Sequence, residues 1–252
     1  GAVTGLGKAA ADQFGRLGAK LMRCGRKLDR LERTAENLRR LGIECRVQAM
    51  TIRDPEQVSG LVDACWQQFG GLDILINNAG GQFPQPAIDY SVKGWNAVID
   101  TNLNGPWYMM QAAARRWRDA GRPGSIVNIV AVVWRGMPGV AHTCAARAGV
   151  IYLSKTLAVE WAPYRIRVNC VAPGVIETEG MDVYPAEARA EFDRSNPMLR
   201  MGDVQDVADA CCYLGGATAK FVTGETITVD GGNQLWGEQW TAGRPDYFKL
   251  PK

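Results

Sequence analysis

The sequence predicts an α/β fold built on a doubly wound parallel sheet, and three observations carry that expectation. Apolar, β-rich runs alternate with amphipathic stretches along the whole chain. The runs show little polar alternation, as strands covered on both faces do. Strand and helix alternate strictly, with no internal repeat and no break in composition, which implies a single domain over residues 1–252.

Taken in order, strands are expected at Ala19 to Cys24, Ile43 to Met50, Leu72 to Ile76, Ser125 to Val130, Ile166 to Val171 and Thr226 to Val229. Helical spacing fills Gly7 to Leu17, Lys27 to Leu41, Pro55 to Phe69, Ser91 to Ala120, Ala141 to Trp161 and Asp203 to Leu214. Gly1 stands in the kind of loop that follows a first strand, so one more strand is expected upstream. Without it the sheet loses a central member and its neighbours expose their edges. Ile176 to Met201, rich in Glu, Pro and Arg, reads as a flap over a substrate site, and Asn233 to Lys252 as a tail.

Composition removes several classes of function. The 252 residues are 46% hydrophobic and 22% charged, with 29 basic against 26 acidic side chains and a net charge of +3. This apolar content excludes a disordered chain, and the near balance of charge offers no basic face for nucleic acid. The longest apolar stretch, around Ile126 to Trp134, carries Asn128 and falls far short of the ~20 residues of a membrane span. No membrane association is expected, and no secretory leader is read at the start. Seven cysteines without a C-x-x-C pair are expected to be reduced thiols of a cytoplasmic protein. With His142 as the single histidine, a zinc site is not expected. No serine sits in G-x-S-x-G, which removes the hydrolase elbow.

The opening G-A-V-T-G-L-G sets Gly1, Gly5 and Gly7, with Thr4 and Leu6 among them, ahead of a helix. Glycines let a backbone turn sharply and approach a pyrophosphate, whose charge the helix N-terminus favours. Alone, the segment reads equally as an ordinary turn. Other segments agree with the sharper reading. Asn77-Asn78-Ala79-Gly80 follows the third expected strand, Asn102 lies in the next helix, and Pro173-Gly174-Val175-Ile176-Glu177-Thr178 follows the fifth. Each falls at the C-terminal end of a strand, where open α/β sheets bind ligands, so the expected fold is Rossmann-like.

With these motifs the chain resembles the short-chain dehydrogenase/reductase family over nearly its whole length. The cofactor contacts this implies run from Gly1, Thr4, Gly5, Leu6 and Gly7 through Ile52, Asn78, Ala79 and Gly80 to Arg147, Pro173, Gly174, Ile176 and Thr178. NAD-preferring members close the second strand with an acidic residue, whereas this chain has Cys24-Gly25-Arg26-Lys27. A cation there suits a 2′-phosphate, so NADP(H) is expected, with Arg26 as the main contact and Arg23 or Lys27 assisting. The plainer alternative leaves Arg26 and Lys27 solvated at a helix start. Thr51-Ile52 stands where relatives hold adenine, without the acidic residue often found at the first position.

The catalytic set departs from the family pattern of a Tyr and a Lys four apart, with a Ser upstream. Aligning Ala148-Gly149-Val150 with its usual context puts Thr143 at the Tyr position, Arg147 at the Lys position and Val130-Ala131 where the Ser stands; Asn102 alone survives. Two explanations compete. Either the acid has moved, with Tyr152 and Lys155 as substitutes, or the reaction needs no titrating phenol. Tyr152 lies nine residues after Thr143, roughly 180° around the helix, and Lys155 lies roughly 18 Å along it. His142 is either a packed residue or a proton donor. Trp134, Trp107, Trp117 and Met137 read as lining of an acyl pocket or as core, and Trp95 and Trp66 as core.

The second explanation fits a subset of the family. Asn77 to Phe83, Lys93-Gly94-Trp95 and Ala145 to Val150 look like peroxisomal trans-2-enoyl-CoA reductases, related to the 2,4-dienoyl-CoA reductases. That likeness implies NADPH-dependent reduction of an enoyl thioester, with Asn102 ordering a water, Thr143 donating to an enolate and Arg147 holding the nicotinamide ribose. The alternatives are a carbonyl reductase or alcohol dehydrogenase with a relocated acid, and a cofactor-binding protein without turnover. Family likeness also implies a homodimer or homotetramer joined through the long helices, where Ala145, Ala146 and Gly149 permit close packing. The flap cations Arg189, Arg194 and Arg200 read as phosphate contacts or as plain surface.

Overall fold

Six parallel strands and the helices between them follow the expected order closely. The computed structural model describes residues 5–179, 181 and 186–235. Gly1 and Thr4 of the expected glycine loop, and the tail beyond Leu235, lie outside the described residues. The helices are α1 (Gly5–Arg16), α2 (Leu28–Arg40), α3 (Pro55–Phe69), α4 (Val92–Ile99), α5 (Gly105–Asp119), α6 (Ala141–Glu160), α7 (Ala186–Arg189) and α8 (Val204–Gly215). The strands are β1 (Leu21–Gly25), β2 (Cys45–Ala49), β3 (Ile74–Asn77), β4 (Gly124–Ile129), β5 (Ile166–Pro173) and β6 (Thr226–Val229).

Helix ends are set by local chemistry. Asp54 caps α3 by accepting from the amides of Glu56 and Gln57, Pro55 opens it, and Gly70 closes it in the left-handed region at φ 74°. Asp203 and Asp206 form a reciprocal capping box on α8. The expected single helix from Ser91 to Ala120 is continuous, with a π turn at Asp100–Asn104 between α4 and α5. Pro106 lies in the first turn of α5 and cannot donate to the preceding turn, so the hydrogen-bond ladder is interrupted there.

The strands form two sheets, β1 with β2 and a four-stranded β3-β4-β5-β6, every pairing parallel. On one face α3, α5 and α6 cover a core centred on Trp117, Met110, Ile126 and Val168; on the other α1 and α8 cover Val127, Val171 and Leu214. Every residue of β4 is buried, which is why its sequence lacks alternation. Trp117 donates its indole N–H to the Leu72 carbonyl at 2.6 Å and lies against Gly124, where no side chain fits.

Between β1 and β3 runs an elongated cavity of about 530 Å³, bounded by α1 on one side and by α3 and α5 on the other. Arg23 lines it, 3% exposed, and none of its three guanidinium nitrogens has a hydrogen-bond partner among the described residues. Arg23 itself is a correction. Side chains alternate along a strand, so Arg23 shares the interior face of Leu21 and stands two residues short of the strand end; it cannot assist Arg26 at a phosphate.

Candidate active site

All six strands point their C-terminal ends at one edge, and the sequence motifs gather there. Gly5 opens α1 at φ 52°, a conformation that favours glycine, with Thr178 of the flap facing it. Leu6 and Gly7 lie in the same first turn. Ile52 follows β2 and packs so closely on Gly105 that a Cβ there would stand 2.5 Å from it. Asn78, Ala79 and Gly80 follow β3, and Gly174, Ile176 and Thr178 follow Pro173 at the end of β5. Ile176 bridges to Gly202, which ties the flap's start to the base of α8.

A buried polar network holds the strand ends beneath. Asn77 donates its side-chain amide to Asn128 at 2.8 Å, and Asn128 donates to the Ser154 hydroxyl at 2.9 Å. Ser154 donates to the Val150 carbonyl, and the Cys170 thiol donates back to Ser154 at 3.2 Å. β3, β4, β5 and α6 are thereby joined side chain to side chain.

Asn102 sits in the π turn, 1% exposed. Its Oδ1 accepts from the Gly81 amide and its Nδ2 donates to the Gly81 carbonyl, both at 2.9 Å. Both ends of the side chain therefore fix the segment after β3. The turn is clamped from the β2 side by Arg53, whose guanidinium donates to Thr101 Oγ1 and to the Ala97 carbonyl, each at 2.7 Å. The sequence carries no pattern that marks Arg53 for this task.

Thr143 and Arg147 lie one turn apart on the buried face of α6, 4% and 8% exposed. The Arg147 guanidinium fills the space over Gly80, where any Cβ would collide with it. Among the described residues it has neither a hydrogen bond nor an ion pair, and burial lowers its pKa from 12.5 to about 10, so it stays charged at neutral pH. A desolvated cation without a partner, facing a glycine, calls for acceptor atoms from a ligand. Val130 and Ala131 occupy the usual serine place and offer no side-chain donor.

Tyr152 is 69% exposed on the opposite face of α6, with Lys155 over its ring at 5.1 Å. The relocated-acid candidates therefore point away from Thr143. His142 is 0% exposed, stacked on Tyr90 with ring centroids 4.6 Å apart and met edge-on by Phe83 at 4.6 Å. Burial lowers its pKa, with the Val140 and Phe83 carbonyls acting the other way. Its Nδ1 accepts from the Thr143 amide at 2.7 Å, so it is the packed residue of the two readings and not a solvent-fed donor.

Arg26 and Lys27 stand exposed where β1 meets α2, and neither has an ion-pair partner among the described residues. Lys27 occupies the N-cap of α2 without a side-chain bond to it, leaving the first amides of that helix uncapped. Of the flap cations, Arg194 pairs with Glu191 at 3.3 Å and Arg200 with Asp206 at 3.1 Å. Trp117 is core, whereas Trp134 and Trp95 are partly exposed, contrary to the expectation of core for Trp95.

A family model described as enoyl-(acyl carrier protein) reductase matches residues 1–234. The chain belongs to the short-chain dehydrogenase/reductase family. It is 38% identical to a probable 2,4-dienoyl-CoA reductase [(2E)-enoyl-CoA-producing] of Bacillus subtilis (strain 168), covering 93% of this chain and 94% of that relative. It is 37% identical to 3beta-hydroxysteroid dehydrogenase 1 of Eggerthella lenta, over 94% and 92% of the two chains. The solved structure of a short chain dehydrogenase from Bacillus anthracis superposes with a TM-score of 0.83 at 38% identity, over 94% and 95%. As a short-chain dehydrogenase/reductase, the protein is an oxidoreductase of small molecules that uses a nicotinamide nucleotide. The glycine at position 80, the open φ of Gly5 and the unpartnered Arg147 fit that group.

Proposed function

We propose that this short-chain dehydrogenase/reductase uses NADPH to reduce the activated C=C bond of an enoyl thioester. The observation that carries the reading is the pair Thr143 and Arg147: a hydroxyl and a buried, unpartnered cation where the family pattern has a phenol and an ammonium. The likeness to a named dienoyl-CoA reductase supports it.

NADPH, when bound, would supply a hydride to the β carbon. Negative charge then develops on the thioester oxygen, and a preorganised donor aimed at that charge lowers the barrier. The Thr143 hydroxyl is that donor. Arg147 holds the nicotinamide ribose through its fork and places positive charge beside the enolate; a guanidinium does not relay protons near pH 7. Water supplies the α-carbon proton, with the Asn102-pinned segment walling the site. Arg26, assisted by Lys27, binds the 2′-phosphate at the head of α2. The acyl thioester is the partner molecule, the free thiols, buried or half-buried, suit a cytoplasmic location, and the assembly is a homodimer or homotetramer.

The deciding experiment follows NADPH oxidation with crotonyl-CoA and a longer trans-2-enoyl-CoA, against a 3-ketoacyl-CoA and simple ketones. Turnover confined to the enoyl substrates is the expected outcome. Turnover confined to carbonyl substrates establishes the second reading, which the 37% likeness to a hydroxysteroid dehydrogenase favours; nucleotide binding without turnover establishes neither. Thr143→Val is expected to lower kcat about tenfold or more with little change in nucleotide affinity.

A further inference from the structure

Helix α6 carries Thr143 and Arg147, yet its own sequence does not cap it. The N-cap residue is Val140, which has no side-chain acceptor for the first amides of the helix. The acceptors come from elsewhere. Tyr90, 51 positions earlier in the chain, accepts the Ala141 amide on its hydroxyl at 3.1 Å and donates the same hydroxyl to the Gly139 carbonyl at 3.1 Å. The Thr143 amide goes to the His142 ring, and that ring lies flat against Tyr90, 10° from parallel. Phe83 closes the stack edge-on to both rings. A second strut runs alongside, the Gln85 amide donating to Gly139 at 2.8 Å.

We propose that Tyr90 is a positioning residue, whose hydroxyl caps α6 from the segment following β3 and so fixes the first turn from which Thr143 presents its own hydroxyl. The inference rests on the reading of Thr143 as the enolate donor. Tyr90 immediately precedes Ser91, the N-cap of α4, and α4 leads into the π turn that pins Gly81 through Asn102. The segment from Gly81 to Tyr90 is thus held at both ends, by Asn102 at its start and by α6 at its finish. Tyr90 is half-buried and its ring contacts survive loss of the hydroxyl, so Tyr90→Phe removes the cap and leaves the stack.

The test has two parts. Amide exchange of Ala141 and Thr143 in the nucleotide-free protein is expected to quicken by about fivefold to tenfold in Tyr90→Phe, since losing a cap costs about one order of magnitude or less in local opening. With crotonyl-CoA, kcat is expected to fall about tenfold while the Kd for NADPH stays within about twofold of the parent, as a misplaced donor predicts. The same change made on Thr143→Val is expected to cost little further, because the two residues act in series. Unchanged exchange in Tyr90→Phe overturns the cap. Equal loss of kcat in the Thr143→Val background, or parallel loss of NADPH affinity, overturns the link to Thr143. Exchange is read without substrate, so a parent enzyme inactive on enoyl thioesters sinks the functional reading and leaves the cap decided on its own.

Discussion

Single residues decide the nucleotide reading, and each exposes it to a measurement. Gly80→Ala drives a methyl into the Arg147 guanidinium, so NADPH affinity by fluorescence titration is expected to drop about tenfold or more. Arg26→Ala removes the free cation at the end of β1; Kd for NADPH is expected to rise about tenfold while Kd for NADH moves little, matching the worth of one charge-assisted hydrogen bond. His142 bears on stability. Burial holds its pKa below the ordinary 6.5, so the unfolded chain takes up that proton first as pH falls. Stability is therefore expected to decline below about pH 6.5 until the folded imidazole is itself protonated, and His142→Gln to flatten that part of a Tm-against-pH curve. Arg23 shows why residue identity alone misleads: in a strand covered on both faces, a buried arginine and a ribose-side arginine occupy the same run of letters.

At the scale of elements, the strands and most helices were legible because period and end signals agreed. Asp54 with Pro55, and Asp203 with Asp206, mark their helices in the letters themselves. The helix expected from Ser91 to Ala120 is continuous, but the π turn inside it at Asp100–Asn104 was not legible, because the apolar spacing runs across it. That π turn puts Asn102 against Gly81, where the asparagine expected to order a water acts as a brace. Asn102→Ala deletes both bonds and is expected to cost about 1–3 kcal/mol in denaturant unfolding, more than an exposed asparagine would. Tyr90 was not legible at all: nothing in local sequence links it to an amide 51 residues away. The departure at Thr143 and Arg147 was legible, since both fall in a motif of fixed spacing; the two lie on the buried face of α6, with Arg147 over Gly80.

Across the whole molecule, the fold sets Arg26 just after β1 and Arg147 on α6 beside Gly80. Among the described residues, α3 packs on α5 and α1 on α8. If Arg26 and Arg147 both hold the nucleotide as proposed, the dinucleotide ties the end of β1 to α6, and slowed amide exchange at Met22 and Cys24 on addition of NADPH is the expected outcome.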